Sequence, residues 1–149
     1  MIKRLKPKEI IGWREWVGLP ELGISLIKAK VDTGARTSAL HAFSVKKLRK
    51  RGNDIAEFAI HPKQRSLKET VYCKAKIIDI RLVKDSGGHQ EERYVIETPV
   101  KIANRTWPIE ITLTNRDIMN FRMLLGRTAI RRHYVVDSNK SYLLSSSKV

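Results

Sequence analysis

The chain has 149 residues, 42% of them hydrophobic, and 30 Lys and Arg against 15 Asp and Glu give a formal net charge of +15. That length suits one domain rather than two, and the apolar share lies well above that of disordered chains. The single cysteine excludes a disulfide framework and every cysteine-rich zinc site, and no apolar run approaches the ~20 residues of a membrane span.

Met1 to Lys8 is basic, with no apolar stretch or small-residue cleavage site behind it, which points to a loose tail on a cytoplasmic chain. Lys8 to Val17 is rich in aromatic and β-branched residues and stops at Gly18-Leu19-Pro20, predicting a strand. A second strand, Ile24 to Val31, approximates a period of two and runs straight into Asp32-Thr33-Gly34-Ala35, a turn with glycine at its tight point. Ser44 to Arg51 reads as a short helix or a basic loop, Phe58 to Pro62 as a strand stopped by proline, and Lys63 to Glu69 as a polar loop. Cys73 falls in a strand, where a buried, inert thiol is expected.

Val71 to Val83 and Glu92 to Thr98 flank a glycine-rich turn at Lys84-Asp85-Ser86-Gly87-Gly88-His89, so they predict a hairpin. Pro99 to Leu113 predicts another, turning near Asn104-Arg105. Met123-Leu124-Leu125 predicts a short buried strand ending at Gly126-Arg127, then one or two helical turns over Thr128 to His133 with Thr128 as N-cap. Tyr134 to Asp137 and Ser141 to Leu144 predict a final hairpin about Ser138-Asn139-Lys140, and 145–149 a loose serine-rich tail. The reading is one mainly β domain over 1–149.

The residues able to carry chemistry begin with Asp32-Thr33-Gly34. A carboxylate at a strand end, followed by a hydroxyl and a glycine, sits in a tight loop whose backbone amides can face it, although Asp and Gly also suit ordinary turns. Leu124-Leu125-Gly126-Arg127 is the second piece, two large apolar residues before a glycine and a helix. The order of strand, Asp-Thr-Gly loop, Gly-Gly hairpin, strands, Leu-Leu-Gly-Arg and helix resembles that of the retroviral proteases. Longer segments, 11–17, 28–41, 85–89 and 121–128, resemble a bacterial family placed with the retropepsin-like aspartic peptidases and commonly labelled ATP-dependent zinc protease. Some of its members are encoded beside an ATP-grasp ligase that adds glutamate to a ribosomal protein. The likeness runs from about Ile11 to Leu144.

This resemblance implies a closed β-barrel with a flap hairpin and one short C-terminal helix. It implies an aspartic endopeptidase in which Asp32, Thr33 and Gly34 are catalytic. Ala35, Arg36 and the flap residues Ser86, Gly87 and Gly88 would meet the substrate, with Leu124, Leu125, Gly126 and Arg127 as the structural motif. Only one Asp-Thr-Gly is present, and Asp85-Ser86-Gly87 sits at a hairpin tip, so a homodimer is required to bring two Asp32 carboxylates together. Thr33 would then brace the two loops across the dimer axis. Where retroviral enzymes continue with acidic residues, this chain has Arg36-Thr37-Ser38, so Arg127 needs another partner, with Glu110 and Asp117 as candidates.

The family label does not fit these residues. No Gly-x-x-x-x-Gly-Lys string is present for ATP and no His-Glu-x-x-His for zinc, and His41, His61, His89 and His133 are scattered. No cofactor or metal is expected. The charge admits an acidic partner or merely a solvated basic surface, with clusters at Lys46 to Arg51 and Arg131-Arg132. Arg36 facing the cleft would favour an acidic, even glutamylated, protein substrate; otherwise it pairs with a structural carboxylate. His41 reads as an ordinary satisfied side chain, and Trp13, Trp16 and Trp107 as core or subunit-interface aromatics. The rival function is a catalytically silent basic module docking on an acidic protein or the ribosome. Direct nucleic-acid binding is less favoured, because only 7% of residues are aromatic.

Overall fold

A computed structural model describes residues 7–63, 67–84, 87–116 and 120–144. Its elements are β1 (Glu9–Gly12), β2 (Arg14–Leu19), a 3-10 turn (Pro20–Leu22), β3 (Ile24–Asp32), β4 (Ser38–His41), β5 (Phe43–Lys50) and β6 (Asn53–Ile60). They continue with β7 (Val71–Lys84), β8 (Gln90–Ile102), β9 (Arg105–Thr114), β10 (Met123–Gly126), α1 (Arg127–Ile130) and β11 (Tyr134–Asp137). No helix among them is long and apolar enough to cross a membrane.

The strands β2, β3, β10, β4, β9 and β8 are neighbours in that order, and β2 pairs back onto β8 through Gly18 and Lys101. That contact closes a ring, as the mainly β barrel expected from the sequence requires. A Cβ at Gly18 would stand 3.0 Å from the Ser25 carbonyl oxygen, so the closure point has little spare room. Beyond β8 the sheet continues through β7 and β6 to β5. β7 serves two neighbours in turn: Val71 to Lys76 pair with β6, and Ile77 to Lys84 pair with β8.

Alternation along the strands fills the ring. Ile27, Ala29 and Val31 of β3 are buried, and Ile96, Val100 and Ile102 of β8 and Ile111 and Leu113 of β9 join them. Each fully enclosed Ile or Leu contributes roughly 1.5–3 kcal/mol by leaving water. Cys73 is buried as expected; its Sγ donates to the Leu22 carbonyl at 3.4 Å, and burial pushes the thiol up to about 11.

Several local expectations are corrected. The Lys8–Val17 strand is two strands in different sheets: Trp13 breaks it by donating its N–H to the Lys140 carbonyl and accepting from the Val31 N–H, both at 2.8 Å. Ser44 to Arg51, expected as helix or loop, is strand β5 as far as Lys50. It pairs with a β6 that starts at Asn53 rather than Phe58, and Arg51 (φ 51°) and Gly52 (φ 79°) make the tight turn between them. Glu92–Thr98 and Pro99 onward are one continuous β8, which turns at Ala103 and Asn104. The final hairpin does not form. β11 instead pairs in parallel with β1, and Ser141 to Leu144 is not a strand.

What holds that last segment is a carboxylate. Glu15 is wholly enclosed, and its Oε2 accepts the N–H of Gly12 at 2.8 Å and of Leu143 at 2.9 Å, while Oε1 accepts that of Leu144 at 3.3 Å. Glu15→Ala leaves these N–H groups without their charged acceptor and is expected to cost roughly 3 kcal/mol. Glu15→Gln, which keeps a carbonyl acceptor, is expected to cost less. Urea unfolding measures both, and identical midpoints for wild type and Glu15→Ala would overturn this account.

Candidate active site

β10 lies between β3 and β4. It runs parallel to β3, with Leu125 opposite Val31 and Gly126 opposite Asp32, and antiparallel to β4, with Leu124 opposite Ala39. The chain between β3 and β4 must therefore pass around the C-terminal end of β10, and that crossing segment is Thr33 to Thr37. The close passage depends on Gly126. A Cβ there would stand 2.6 Å from the Thr37 carbonyl carbon, 2.8 Å from its oxygen and 2.9 Å from the Ser38 nitrogen.

Hydrogen bonds then fasten the crossing. The Gly126 N–H donates to Ser38 Oγ at 3.1 Å, that of Arg127 to the Ala35 carbonyl at 2.8 Å, and that of Thr128 to the Arg36 carbonyl at 3.1 Å. The Thr128 hydroxyl donates to the same Arg36 carbonyl at 2.7 Å. The first turn of a helix leaves N–H groups without internal partners, and here the Asp-Thr-Gly segment supplies the acceptors. Thr128 is therefore not the expected N-cap: α1 starts at Arg127, Gly126 holds the cap position, and no side chain caps it.

Arg127 also departs from expectation. Its Nη1 reaches the carbonyls of Gly34 at 3.3 Å and Thr33 at 3.5 Å, so a guanidinium braces the loop's backbone. Glu110 is engaged elsewhere, by Arg81 at 2.9 Å; Asp117 lies outside the described residues.

The loop presents its carboxylate outward. Asp32 is half-buried, Thr33 and Gly34 are exposed, and Ala35 is half-buried. Asp32 Oδ1 accepts the Gly34 N–H at 2.9 Å, and the Asp32 carbonyl accepts the Ala35 N–H at 3.2 Å. A Cβ on Gly34 would stand 3.1 Å from Asp32 Oδ1, so glycine here lets the turn close on the carboxylate. One carboxylate oxygen is thus held by a backbone amide, and the other has no hydrogen bond among the described residues.

Arg36 is exposed and carries no ion pair among the described residues, so the structural-carboxylate reading finds no support there. With Thr37 it lines a hollow of about 260 Å³ whose far wall holds Glu97 and Glu110, cross-strand partners on β8 and β9. Gly87 and Gly88 stand exposed at the tip of the β7–β8 hairpin, Gly88 with φ 84°. Ser86 lies outside the described residues. Leu124 and Leu125 are buried beneath the loop.

His41 is a satisfied side chain: Nδ1 accepts from Arg122 Nη1 and Nε2 donates to the Asn115 carbonyl, each at 3.1 Å, which sets the Nε2–H tautomer. Trp107 donates its indole N–H to the Ala129 carbonyl at 2.9 Å and so packs α1 onto β9, while Trp16 stacks on Tyr142. Ser38, whose hydroxyl accepts from Gly126 and whose carbonyl accepts from the Thr112 hydroxyl at 3.2 Å, is a site residue that sequence reasoning passed over.

Comparison with known proteins agrees with this geometry. A family model described as RimB-like, the retropepsin-like aspartic endopeptidase RimB, matches residues 10–146. Two curated proteins named "Probable alpha-L-glutamate ligase" are similar to this chain. The one from Desulfotalea psychrophila is 45% identical over 130 residues, 87% of this chain and 28% of its own length. The one from Shewanella pealeana is 44% identical over 137 residues, 92% of this chain and 30% of its own length. The chain thus spans less than a third of these relatives. Among solved structures, a protein of unknown function from Legionella pneumophila is similar with a TM-score of 0.75 at 25% identity, over 91% of this chain and 97% of its own.

The crossing at Gly126 is open to test. Gly126→Ala drives a methyl group into backbone that cannot retreat, and is expected to destabilise the chain by roughly 2 kcal/mol or more. A denaturant midpoint equal to that of wild type would show that the crossing is looser than described.

Proposed function

This chain belongs to the RimB-like family of retropepsin-like aspartic endopeptidases, and we propose from that premise that it is one subunit of a homodimeric aspartic peptidase. The observation that carries the reading is the half-buried Asp32 carboxylate at the end of β3, held on one oxygen by the Gly34 N–H beside the exposed Thr33 and Gly34. One such carboxylate is half of the machinery. Two placed a few Å apart cannot both ionise readily, so one keeps a proton, as aspartic proteases as a class illustrate. The ionised partner takes a proton from water as the water oxygen adds to the scissile carbonyl carbon, and the protonated one donates to the carbonyl oxygen. The resulting diol collapses as the C–N bond breaks and the amine leaves with the proton taken from water.

A second copy has a surface to meet. Ile10 and Val135 are cross-strand partners on the two-stranded β1–β11 sheet, exposed to 52% and 50%. Beside them a hollow of about 520 Å³ is lined by Val135, Val136, Trp13, Ile130, Thr33 and Arg127. Apolar surface running into the Asp-Thr-Gly loop suits a symmetric contact that would set the two loops together. Thr33 in the loop would bridge the pair, and the β7–β8 hairpin with Gly87 and Gly88 would cover the substrate.

Substrate choice follows charge. The net charge of +15 and the exposed Arg36 favour acidic polypeptide. The relatives that contain a segment like this chain are named as glutamate ligases, which suggests a protein carrying added glutamates. The same relatives support a second reading, in which the fold is a silent module that holds an acidic protein for another enzyme.

Cleavage of a glutamate-tailed peptide alongside sedimentation separates the two. Asp32→Asn is expected to remain dimeric and lose at least about a thousand-fold in rate. Val135→Asp, which places a charge in the proposed contact, is expected to give a monomer without activity. Undiminished cleavage by Asp32→Asn, or cleavage by a strict monomer, would sink the dyad, and no cleavage by wild type would leave the binding module.

A further inference from the structure

β5, β6 and the half of β7 that pairs with β6, Val71 to Lys76, are not used by the site above. β5 ends the sheet order and pairs only with β6 among the described residues. One side of this strand is therefore an open row of backbone N–H and C=O groups. Lysines on such an edge ordinarily serve to stop strands from adding to it.

Here the charge goes further than that. Lys46, Lys47, Arg49, Lys50 and Arg51 lie within six consecutive positions. The nearby carboxylates are already taken, Asp54 by Arg49 at 3.5 Å and Glu57 by Lys74 at 3.2 Å. Lys46, Lys47, Lys50, Arg51 and, on β7, Lys76 have no ion pair among the described residues. Beside Lys50, Arg51 and Lys76 a hollow of about 530 Å³ opens toward β6 and β7, lined also by Asn53, Ile55 and Lys74. Leu48, 39% exposed, stands opposite Ile55 and gives the surface some apolar contact.

The occupant follows by elimination. A second copy pairing β5 with β5 would set these cations against one another. A neutral strand would pair its backbone but leave the charges unanswered. Single-stranded nucleic acid would answer the charges, but it wants aromatic platforms, and of Phe43, Phe58 and Tyr72 on these strands only Tyr72 is exposed. An extended acidic polypeptide satisfies both the open edge and the charge.

We propose that the free edge of β5 is a docking site for an extended acidic polypeptide, which adds to the sheet as one more strand with its carboxylates among Lys46, Lys47, Lys50 and Arg51. The lysines then repel every strand except the acidic one. This deepens the peptidase reading by giving an acidic substrate a second hold, at the end of the sheet order away from Asp32, and it rests on that reading only for this use.

The test measures binding without turnover, in the full-length Asp32→Asn chain. The probe is a fluorescein-labelled oligoglutamate of about eight residues, matched to the length of an edge strand, followed by fluorescence anisotropy. Lys46→Glu with Lys50→Glu is expected to weaken binding at least about ten-fold, and Lys101→Glu with Arg132→Glu, an equal change of charge elsewhere, to weaken it far less. The same peptide N-methylated at alternate residues keeps its charge but loses one edge of backbone donors, and is expected to bind at least about ten-fold more weakly to the unaltered edge. Equal binding of the methylated peptide, equal loss in the two double variants, or tighter binding of an oligouridine of the same length would each overturn the proposal. Because Asp32 is already disabled, a failure of the catalytic reading leaves these results unchanged. Conversely, lost binding with intact cleavage of a short neutral peptide by wild type would indict the docking edge alone.

Discussion

The passage of Thr33 to Thr37 around the end of β10 is the constraint on which the site depends. Because β3 and β4 flank β10, the loop between them has no path other than over Gly126. A backbone pressed that closely onto another needs partners for its polar groups. It finds them in the N–H groups of Arg127 and Thr128, which a helix start would otherwise leave to water. Each side thus satisfies the other. The position of Asp32 is set by backbone contacts rather than by its own side chain, and α1, a single turn long, serves mainly as the other half of a clasp.

Charge is organised on a second level. Carboxylates are scarce, and most of those described are engaged: Glu15 inside, Glu91 with Arg93 at 2.8 Å, Asp79 and Glu110 with Arg81, and Glu9 with Arg105 at 3.1 Å. The exposed pairs among these contribute little to stability. Their effect is to use up the acidic groups locally. With twice as many basic as acidic residues, the cations left over define the surface.

Much of this was legible in the sequence. Asp32-Thr33-Gly34 and Leu124-Leu125-Gly126-Arg127 marked the two strands that meet, since turn chemistry and a buried apolar run are local signals. The partners of those motifs were not legible. That Thr128 bonds to Arg36 and Ser38 to Gly126 follows from the crossing, and nothing within a few residues of either announces it. The basic run from Lys46 to Arg51 hid β5, because its strand character comes from pairing with β6 rather than from its own composition. Trp13 ended one strand and began another through hydrogen bonds to Lys140 and Val31, both far along the chain. Nothing near Glu15 in the sequence announces its burial, because the N–H groups of Leu143 and Leu144 that meet its carboxylate come from far along the chain.

The pairing of β1 with β11 has a mechanical side. The two strands run in the same direction, Glu9 beside Tyr134 and Gly12 beside Asp137. Tension drawing the N-terminal flank one way and the C-terminal flank the other would slide them lengthwise, loading all their hydrogen bonds at once instead of peeling them one by one. Behind them, the Glu15 carboxylate grips both Gly12 and the stretch after β11. Where a segment of this kind sits inside a longer polypeptide, as in the relatives it matches, pulling on its flanks would meet resistance at this clamp before the barrel felt any strain. Forced opening is governed by the unfolding barrier, so the short pair of strands would act as the module's tether point.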